Sequence, residues 1–451
     1  MNNHPKKKQT LSYLPILSYY TFFNTFISWY RFLQKSATWN QKKTTEYQSN
    51  TLQKLINHAY HHVPYYHTLF KKKRIKPTDI TIPDDLSKIP ILTKDIIREQ
   101  NTQIKATNYP KNAFHPYHTG GTTGTPLSFY IESSRWLGIH FAFNKTYMHS
   151  AGYQSYDKVI SFAGTKQPIT HHPLYRTIEL SSFHTTTKDF DQYYHHIQKF
   201  NPRYITTFPS AIILFTHDRL NQKKDLNINL KAIFCHGEQL PPKQKRFLEE
   251  TYDCPVLDQY GHREQCVYAT TCPTSNLFHV YPHYGIAELL DENEQTTYSK
   301  GKTGEIVATS LINNVFPLIR YKTEDRAQLT NDTCSCGNHT TFFHSILGRT
   351  QEFIIGKNQE KIPVTGLYHL CTNQQRIIRD SQIIQEKEGE LIISIITTTQ
   401  WNTKDEKQLQ KRCTDLLGNH FTCTIQPVES IQRTPHGKQR FLIQKLPIAT
   451  Y

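Results

Sequence analysis

The chain lacks several features that would settle its class at once, and each absence excludes something. It has no apolar run suited to crossing a bilayer. The one approach to such a run, Leu11 to Tyr30 behind Lys6-Lys7-Lys8, faintly resembles a secretion signal. It is broken by Ser12, Pro15, Ser18, Thr21, Asn24 and Ser28 and has no small-x-small cleavage site, so it is too polar to span. The part after Pro15 is expected to be an aromatic amphipathic helix packed on the body, with membrane contact no more than peripheral. Nine cysteines, an odd number spread over 451 residues, exclude a secreted disulfide framework and point to a reducing, cytoplasmic compartment. Acidic residues are few, 37 against 53 lysines and arginines, for a net charge of +16. Such a balance attracts anionic partners. The basic residues are mostly dispersed, the densest groups being Lys6-Lys7-Lys8, Lys71-Lys72-Lys73-Arg74 and Lys243, Lys245 and Arg246. There is no zinc-finger spacing and no RNA-binding aromatic signature, so nucleic acid is not an expected partner. No internal repeat or long low-complexity tract interrupts the chain.

What is present is enough for large cores: 37% apolar residues, 27 tyrosines and 24 phenylalanines over a length that calls for two or more domains. The most distinctive stretch is His118-Thr119-Gly120-Gly121-Thr122-Thr123-Gly124-Thr125-Pro126. Side chains this small cannot pack a core. Glycine lets the chain turn its amides toward an anion and lets a phosphate come close. A surface hairpin rich in turn residues is the competing reading. It is not a Walker A loop, because no Lys-Ser/Thr follows the last glycine. Gly301-Lys302-Thr303 fails too, with Thr296 where that motif needs its first glycine.

Residues 16–75 read as mostly helical, with Leu52, Leu55, Ile56 and Ala59 on one face of a helix that ends at Val63-Pro64-Tyr65-Tyr66. Thr93 is a candidate N-cap. Strands are expected at Leu127–Ile131, Lys158–Ala163, Tyr204–Phe208, Lys231–Cys235 and Val256–Tyr260, with helices at Ser210–Leu220 and Pro241–Tyr252. That is β-α-β alternation, hence a layered α/β domain with functional loops at strand ends. Residues 284–330 turn β-rich, with strands at Ile286–Leu290 and Gly304–Ser310. After Gly348-Arg349 comes a compact segment with a strand (Glu390–Ile396), a helix (Asp405–Leu417) and a basic tail.

Polar clusters sit at the strand ends: Cys235-His236-Gly237-Glu238-Gln239, then Tyr260-Gly261-His262-Arg263-Glu264. Further on come Phe316 to Asp325, Gly348-Arg349-Thr350-Gln351-Glu352, and Arg433-Thr434-Pro435-His436-Gly437-Lys438-Gln439-Arg440. In this order, behind the Gly/Thr run, they resemble the signature of the adenylate-forming superfamily. The similarity is to its phenylacetate–coenzyme A ligase branch, CapK-like proteins included, and extends to His58–Tyr66 and Ile89–Lys94. Taken singly, Asp325 or Arg349 reads as a surface salt-bridge residue. Tyr260 alone reads as a half-buried aromatic and Lys438 alone as a solvated cation. Only their joint order lifts them.

The resemblance implies a large multi-layer α/β N-terminal domain with a β-rich subdomain, residues 1–347, and a small mobile α+β C-terminal domain, residues 348–451, rotating about a hinge near Arg349–Glu352. It implies that a carboxylic acid attacks the α-phosphate of ATP, giving acyl-AMP and pyrophosphate, and that coenzyme A then takes the acyl group. Transfer to an amino sugar or carrier protein in surface-polysaccharide assembly is the alternative, and a non-catalytic nucleotide-binding scaffold is the alternative of another class. Thr119, Gly120, Gly121, Thr122, Thr123 and Gly124 would hold the outer phosphates. Gly237 and Glu238 would lie beside adenine and ribose, and Tyr260, with Gly261 behind it, would stack on the adenine. Glu264 would bind Mg²⁺, Asp325 the ribose hydroxyls, and Arg349 the ribose or phosphate. Lys438 would meet carboxylate and α-phosphate. Self-association as a homodimer is left open. Acid-pocket residues are expected within 136–165 and 235–262, where Trp136, Phe141 and Phe143 hint at an apolar or aryl acid.

Two positions depart from the family pattern. Glu324 stands in Thr323-Glu324-Asp325 where the family has glycine, so the turn there is expected to differ, because glutamate takes positive φ less cheaply. Glu352 stands at a hinge position that is commonly aspartate, behind an unusual Gln351. Finally, Cys272, His279, Cys334 and Cys336 offer the ligand types of a tetrahedral structural Zn²⁺ site, with Gly337 permitting a tight Cys-x-Cys turn. Cys235, Cys254 and Cys266 read as small core residues.

Overall fold

A computed structural model of the chain describes residues 16–111, 113–118, 127–224, 228–296, 301–330, 334–337, 342–349, 353–363, 367, 377–398, 400–434 and 437–446. The Gly/Thr run 119–126 and the pair Gln351 and Glu352 therefore lie outside the described residues.

The N-terminal part is helical, at Ile16–Ser36, Gln41–His62 and Pro64–Lys73. The second helix starts at Asn40, whose side chain accepts the Lys43 amide at 3.0 Å, and it buries the expected stripe Leu52, Leu55, Ile56 and Ala59. Val63 is extended and ends it. Pro64 then opens the next helix, where its missing N–H leaves nothing unpaired. Thr93 caps Lys94–Glu99 by accepting the Ile96 amide at 3.3 Å.

The body is built on a 12-stranded sheet. One half is a parallel set in the spatial order Thr177–Ser181, Val159–Ala163, Tyr204–Thr207, Ala232–His236, Val256–Gly261. The crossovers run through helices Thr187–Phe200, Pro209–Asn221 and Pro242–Tyr252. These strands are apolar on both sides because helices cover both faces: Ala232, Ile233, Phe234 and Cys235 are all buried. Ile169–His172 closes this edge in antiparallel pairing. The other half is antiparallel, running from Tyr268–Thr271 through Phe278–Val280, Phe342–Arg349, Tyr321–Thr330 and Thr303–Ser310 to Gly285–Leu290. This mixed α/β body with a β-rich half is the fold class expected from the residue pattern. Cys235, Cys254 and Cys266 are buried in it.

The C-terminal unit has its own four-stranded sheet, ordered Thr422–Pro427, Glu390–Thr397, Ile378–Lys387, Leu442–Gln444. Helix Thr403–Leu417 buries Leu409, Cys413 and Leu417 within that unit's core. The first helix, Ile16–Ser36, packs on helix Ser133–Ser150, with Phe22 against Phe141 at 5.5 Å.

Candidate active site

Parallel strands of this kind gather their C-terminal ends along one rim, and ligands bind there. The rim here faces the C-terminal unit across a cavity of about 740 Å³. Gly237, Glu238, Tyr260, Gly261, His262, Glu264 and Asp325 line it from the body, and Lys438 and Gln439 from the C-terminal unit. Residues far apart in the chain are thus gathered around one space. Arg349 enters through strand register: its backbone stands directly opposite Asp325.

The Tyr260 hydroxyl donates to Asp325 Oδ2 at 2.9 Å, and the Asp325 amide donates to Thr323 Oγ1 at 3.1 Å. The carboxylate and the ring are therefore held as one piece. Glu264 is buried with one oxygen accepting from the Tyr321 hydroxyl at 2.8 Å and the other 3.3 Å from His262 Nδ1. Burial alone would raise its pKa. The His262 and Tyr321 contacts outweigh that and hold it at about 2, so it stays ionised.

Lys438 reaches the rim over Gly237. A Cβ at Gly237 would lie 2.9 Å from Lys438 Cε and 3.0 Å from Nζ, and the residue has φ +78°. The positive φ favours glycine, and a larger residue would also push the flexible end of Lys438 aside. The preceding Gly437 is seated as tightly: its Cβ would stand 2.6 Å from the Gly164 Cα. The Glu238 carboxylate is engaged at the boundary between the two units. There it accepts from the Ser210 amide at 3.0 Å, from the Ser210 hydroxyl and from the Gln439 amide.

At the turn, Glu324 takes the conformation that is costly for glutamate. Its backbone is left-handed, with φ +66°. An L-residue pays about 1–2 kcal/mol for that conformation, and a largely buried ion pair between Glu324 and Lys94 accompanies it. Lys94 and Arg98, both from helix Lys94–Glu99, line the cavity. Sequence reasoning missed them as site residues, although it had singled out the segment ending at Lys94. It also missed Asp258, whose carboxyl burial pushes up to about 7. A polar residue two places before Tyr260, directly after the apolar Val256 and Leu257, was the available signal.

Of the aromatics expected at the acid pocket, two do other work. Phe141 turns out to the first helix, and Phe143 belongs to a core cluster with Tyr268 and Tyr284. Trp136 is partly accessible beside His140.

Away from this cavity, Cys272, His279, Cys334 and Cys336 converge, with all four ligand atoms within 4.8 Å of one another. Cys272 Sγ and Cys334 Sγ are 3.5 Å apart, and Cys336 Sγ and His279 Nε2 3.9 Å. Those separations match the edges of a tetrahedron with bonds of about 2.0–2.3 Å. The cluster ties the end of strand Tyr268–Thr271 to the segment 334–337.

Known proteins share this organisation. The AMP-binding enzyme family matches residues 47–311, and the CapK C-terminal domain family residues 354–445. Protein CapK of Staphylococcus aureus is 23% identical over 416 residues, covering 89% of each chain. Phenylacetate-coenzyme A ligase of Thermus thermophilus is 23% identical over 379 residues, covering 78% of this chain and 80% of that protein. Among solved structures, 2-hydroxyisobutyryl-CoA ligase in the postadenylation state with 2-HIB-AMP aligns with a TM-score of 0.72 at 19% identity, over 91% of both chains. The same ligase with 2-HIB-AMP and CoA in the thioesterification state aligns at 0.62 and 20% identity, over 92% of this chain and 93% of that one. At such identities the structures show the fold. The profile match, spanning more than half the sequence, shows that the chain belongs to the AMP-binding enzyme family.

Proposed function

We propose that the protein activates a carboxylic acid with ATP, releasing pyrophosphate and forming acyl-AMP, and then passes the acyl group to coenzyme A. The observation that carries this reading is the convergence of Tyr260, Glu264, Asp325 and Lys438 on one cavity at the strand ends, in a chain of this family. Asp325, fixed by Tyr260, is suited to accept hydrogen bonds from ribose hydroxyls, leaving the Tyr260 ring for the adenine. Ionised Glu264 is suited to Mg²⁺, which would neutralise phosphate charge. Lys438 brings a cation to the point where charge develops on carboxylate and α-phosphate. Thr119, Gly120, Gly121, Thr122, Thr123 and Gly124 would grip the leaving pyrophosphate, and Arg349 would contact ribose or phosphate.

In the same reading residues 1–347 and 348–451 are the two domains, and rotation about the segment after Arg349 exchanges the residues facing the acyl-AMP between the half-reactions. Zn²⁺ held by Cys272, His279, Cys334 and Cys336 would be structural, since the protein fills all four positions.

A pyrophosphate-release screen over aryl, fatty and amino acids, with and without coenzyme A, tests the proposal. Pyrophosphate exchange without a thioester product would favour an amino sugar or carrier protein as acceptor. No exchange with any acid would favour a non-catalytic nucleotide-binding protein. Lys438→Ala should lower exchange at least about 100-fold, and exchange at the wild-type rate would overturn its role.

A further inference from the structure

An acid activated beside Lys438 must set its carboxylate at that ammonium and lay the rest of the molecule against the neighbouring wall. Two histidines stand near that ammonium. His236 directly precedes Gly237, over which Lys438 lies, and meets the Phe208 ring edge-on at 5.0 Å. It is within electrostatic reach of both Lys438 and His140. His140 sits on helix Ser133–Ser150, one turn after Trp136 and one turn before Asn144, so the three share a face. The other faces of that helix are occupied. Ile139, Ala142, Phe143 and Tyr147 are in the core. Gly138 lies against the first helix, where an added Cβ would be 2.7 Å from the Phe22 carbonyl oxygen.

A hydrogen-bond chain sets the polarity of His140. The Tyr268 hydroxyl donates to Asn144 Oδ1 at 2.7 Å, which turns the Asn144 amide nitrogen toward His140 Nε2 at 3.0 Å. Nε2 therefore accepts, and the proton of the neutral ring is on Nδ1. Among the described residues neither nitrogen of His236 has a hydrogen-bond partner. Burial holds both rings neutral down to about pH 4, with the Lys438 charge adding to the effect at His236. Yet Trp136, His140, Asn144 and His236 all keep part of their surface accessible. Part of each side chain is therefore open to contact.

We propose that the acid's tail lies against these side chains, and that the acid carries a neutral hydrogen-bonding group, a hydroxyl, carbonyl or amide, held by His140 and His236. The proposal rests on the acid-activating reading. A neutral imidazole offers one donor and one acceptor; Asn144 already meets the His140 acceptor, so a wholly apolar tail would leave the His140 Nδ1–H and both His236 nitrogens unpaired. Sites that hydrogen-bond a substrate group discriminate strongly against analogues lacking it.

The test is ATP–pyrophosphate exchange by the full chain on matched pairs: 3-hydroxybutanoate and butanoate, 4-hydroxybenzoate and benzoate, 4-hydroxyphenylacetate and phenylacetate. In at least one pair kcat/KM should favour the hydroxylated acid by about tenfold or more. His236→Leu and His140→Leu should bring that ratio toward one by losing the hydroxylated acid, with the KM for ATP unchanged. His236→Asn, which keeps a neutral donor and acceptor, should retain part of the preference. Should the leucine variants fail to fold, the wild-type ratios and the asparagine variant decide. Exchange with no preference for the hydroxylated member, or a preference untouched in the leucine variants, overturns this proposal alone. Exchange with no acid overturns the acid-activating reading and this proposal together.

Discussion

Arg379 and Asp218 form the contact between the two units whose loss can be worked through most fully. Arg379 is on strand Ile378–Lys387 of the C-terminal sheet, and Asp218 is on helix Pro209–Asn221 of the body. Arg379 Nη2 donates to Asp218 Oδ1 at 2.6 Å, with 15% and 3% of the two side chains exposed. Stripping one partner from a buried ion pair costs about 3–5 kcal/mol when the other charge is left alone. Asp218 would not be left alone. It also accepts from Arg219, from Thr187 Oγ1 at 2.9 Å and from Gln222 Nε2 at 3.2 Å. Arg219 and Lys224 would still balance Asp218 and Asp191. Arg379→Ala therefore removes one charge-assisted hydrogen bond, about 1.5–3 kcal/mol. In the proposed rotation of the two domains the bond crosses the boundary, so that energy would leave the docking equilibrium and not the core of either unit. It corresponds to about a 10- to 100-fold shift away from the pose in which Lys438 faces Gly237. ATP–pyrophosphate exchange should fall about tenfold or more. Tryptic cleavage within residues 350–376 should accelerate in parallel, while the melting temperature changes little. A double-mutant cycle with Asp218→Asn isolates the pair. Unchanged exchange and unchanged cleavage in Arg379→Ala would refute the reasoning.

Three further outcomes follow from individual groups. Glu324→Gly relieves the left-handed strain while losing the Lys94 pair, so its melting temperature should stay near wild type; Glu324→Ala loses the pair and keeps the strain, and should be less stable than Glu324→Gly by about 1 kcal/mol. Burial raises the Asp258 pKa from 3.8 to about 7, so the folded chain holds that proton more tightly than the unfolded chain. The resulting penalty on folding is absent below pH 3.8 and complete above about pH 7. Asp258→Asn should then stabilise by about 2–4 kcal/mol at pH 8 and by almost nothing at pH 4, measured by denaturant unfolding; equal effects at the two pH values would contradict it. Elemental analysis should find one zinc per chain, and a strong chelator or Cys336→Ser should lower the melting temperature by several degrees. A metal-free chain with unchanged melting would remove the zinc site.

Much of the fold was legible because local rules agreed with one another. The stripe Leu52, Leu55, Ile56 and Ala59, the Thr93 cap and the apolar strands at 159–163, 204–207, 232–236 and 256–261 follow from periodicity, capping and turn chemistry, which act over a few residues. The acid pocket was not legible in the same way. Phe141 and Phe143 are apolar residues on the helix expected to supply it, yet one packs against Phe22 and the other in the core. Which face of a helix meets a site depends on what the other faces bury, and that is set by distant segments.

By itself the chain determined the order of its motifs, and with it the expectation of a nucleotide at Tyr260, Asp325 and Lys438, because each motif is a short string whose chemistry is local. Only the tertiary structure decided how these strings meet. Parallel pairing put Gly237 and Tyr260 on one rim, strand register set Asp325 opposite Arg349, and the docked C-terminal unit laid Lys438 over Gly237. The same holds at Glu324. The residue change was plain in the sequence and argued for a different turn. The ammonium that stands with its carboxylate comes from Lys94, 230 residues earlier, and only packing brings that charge near enough to act.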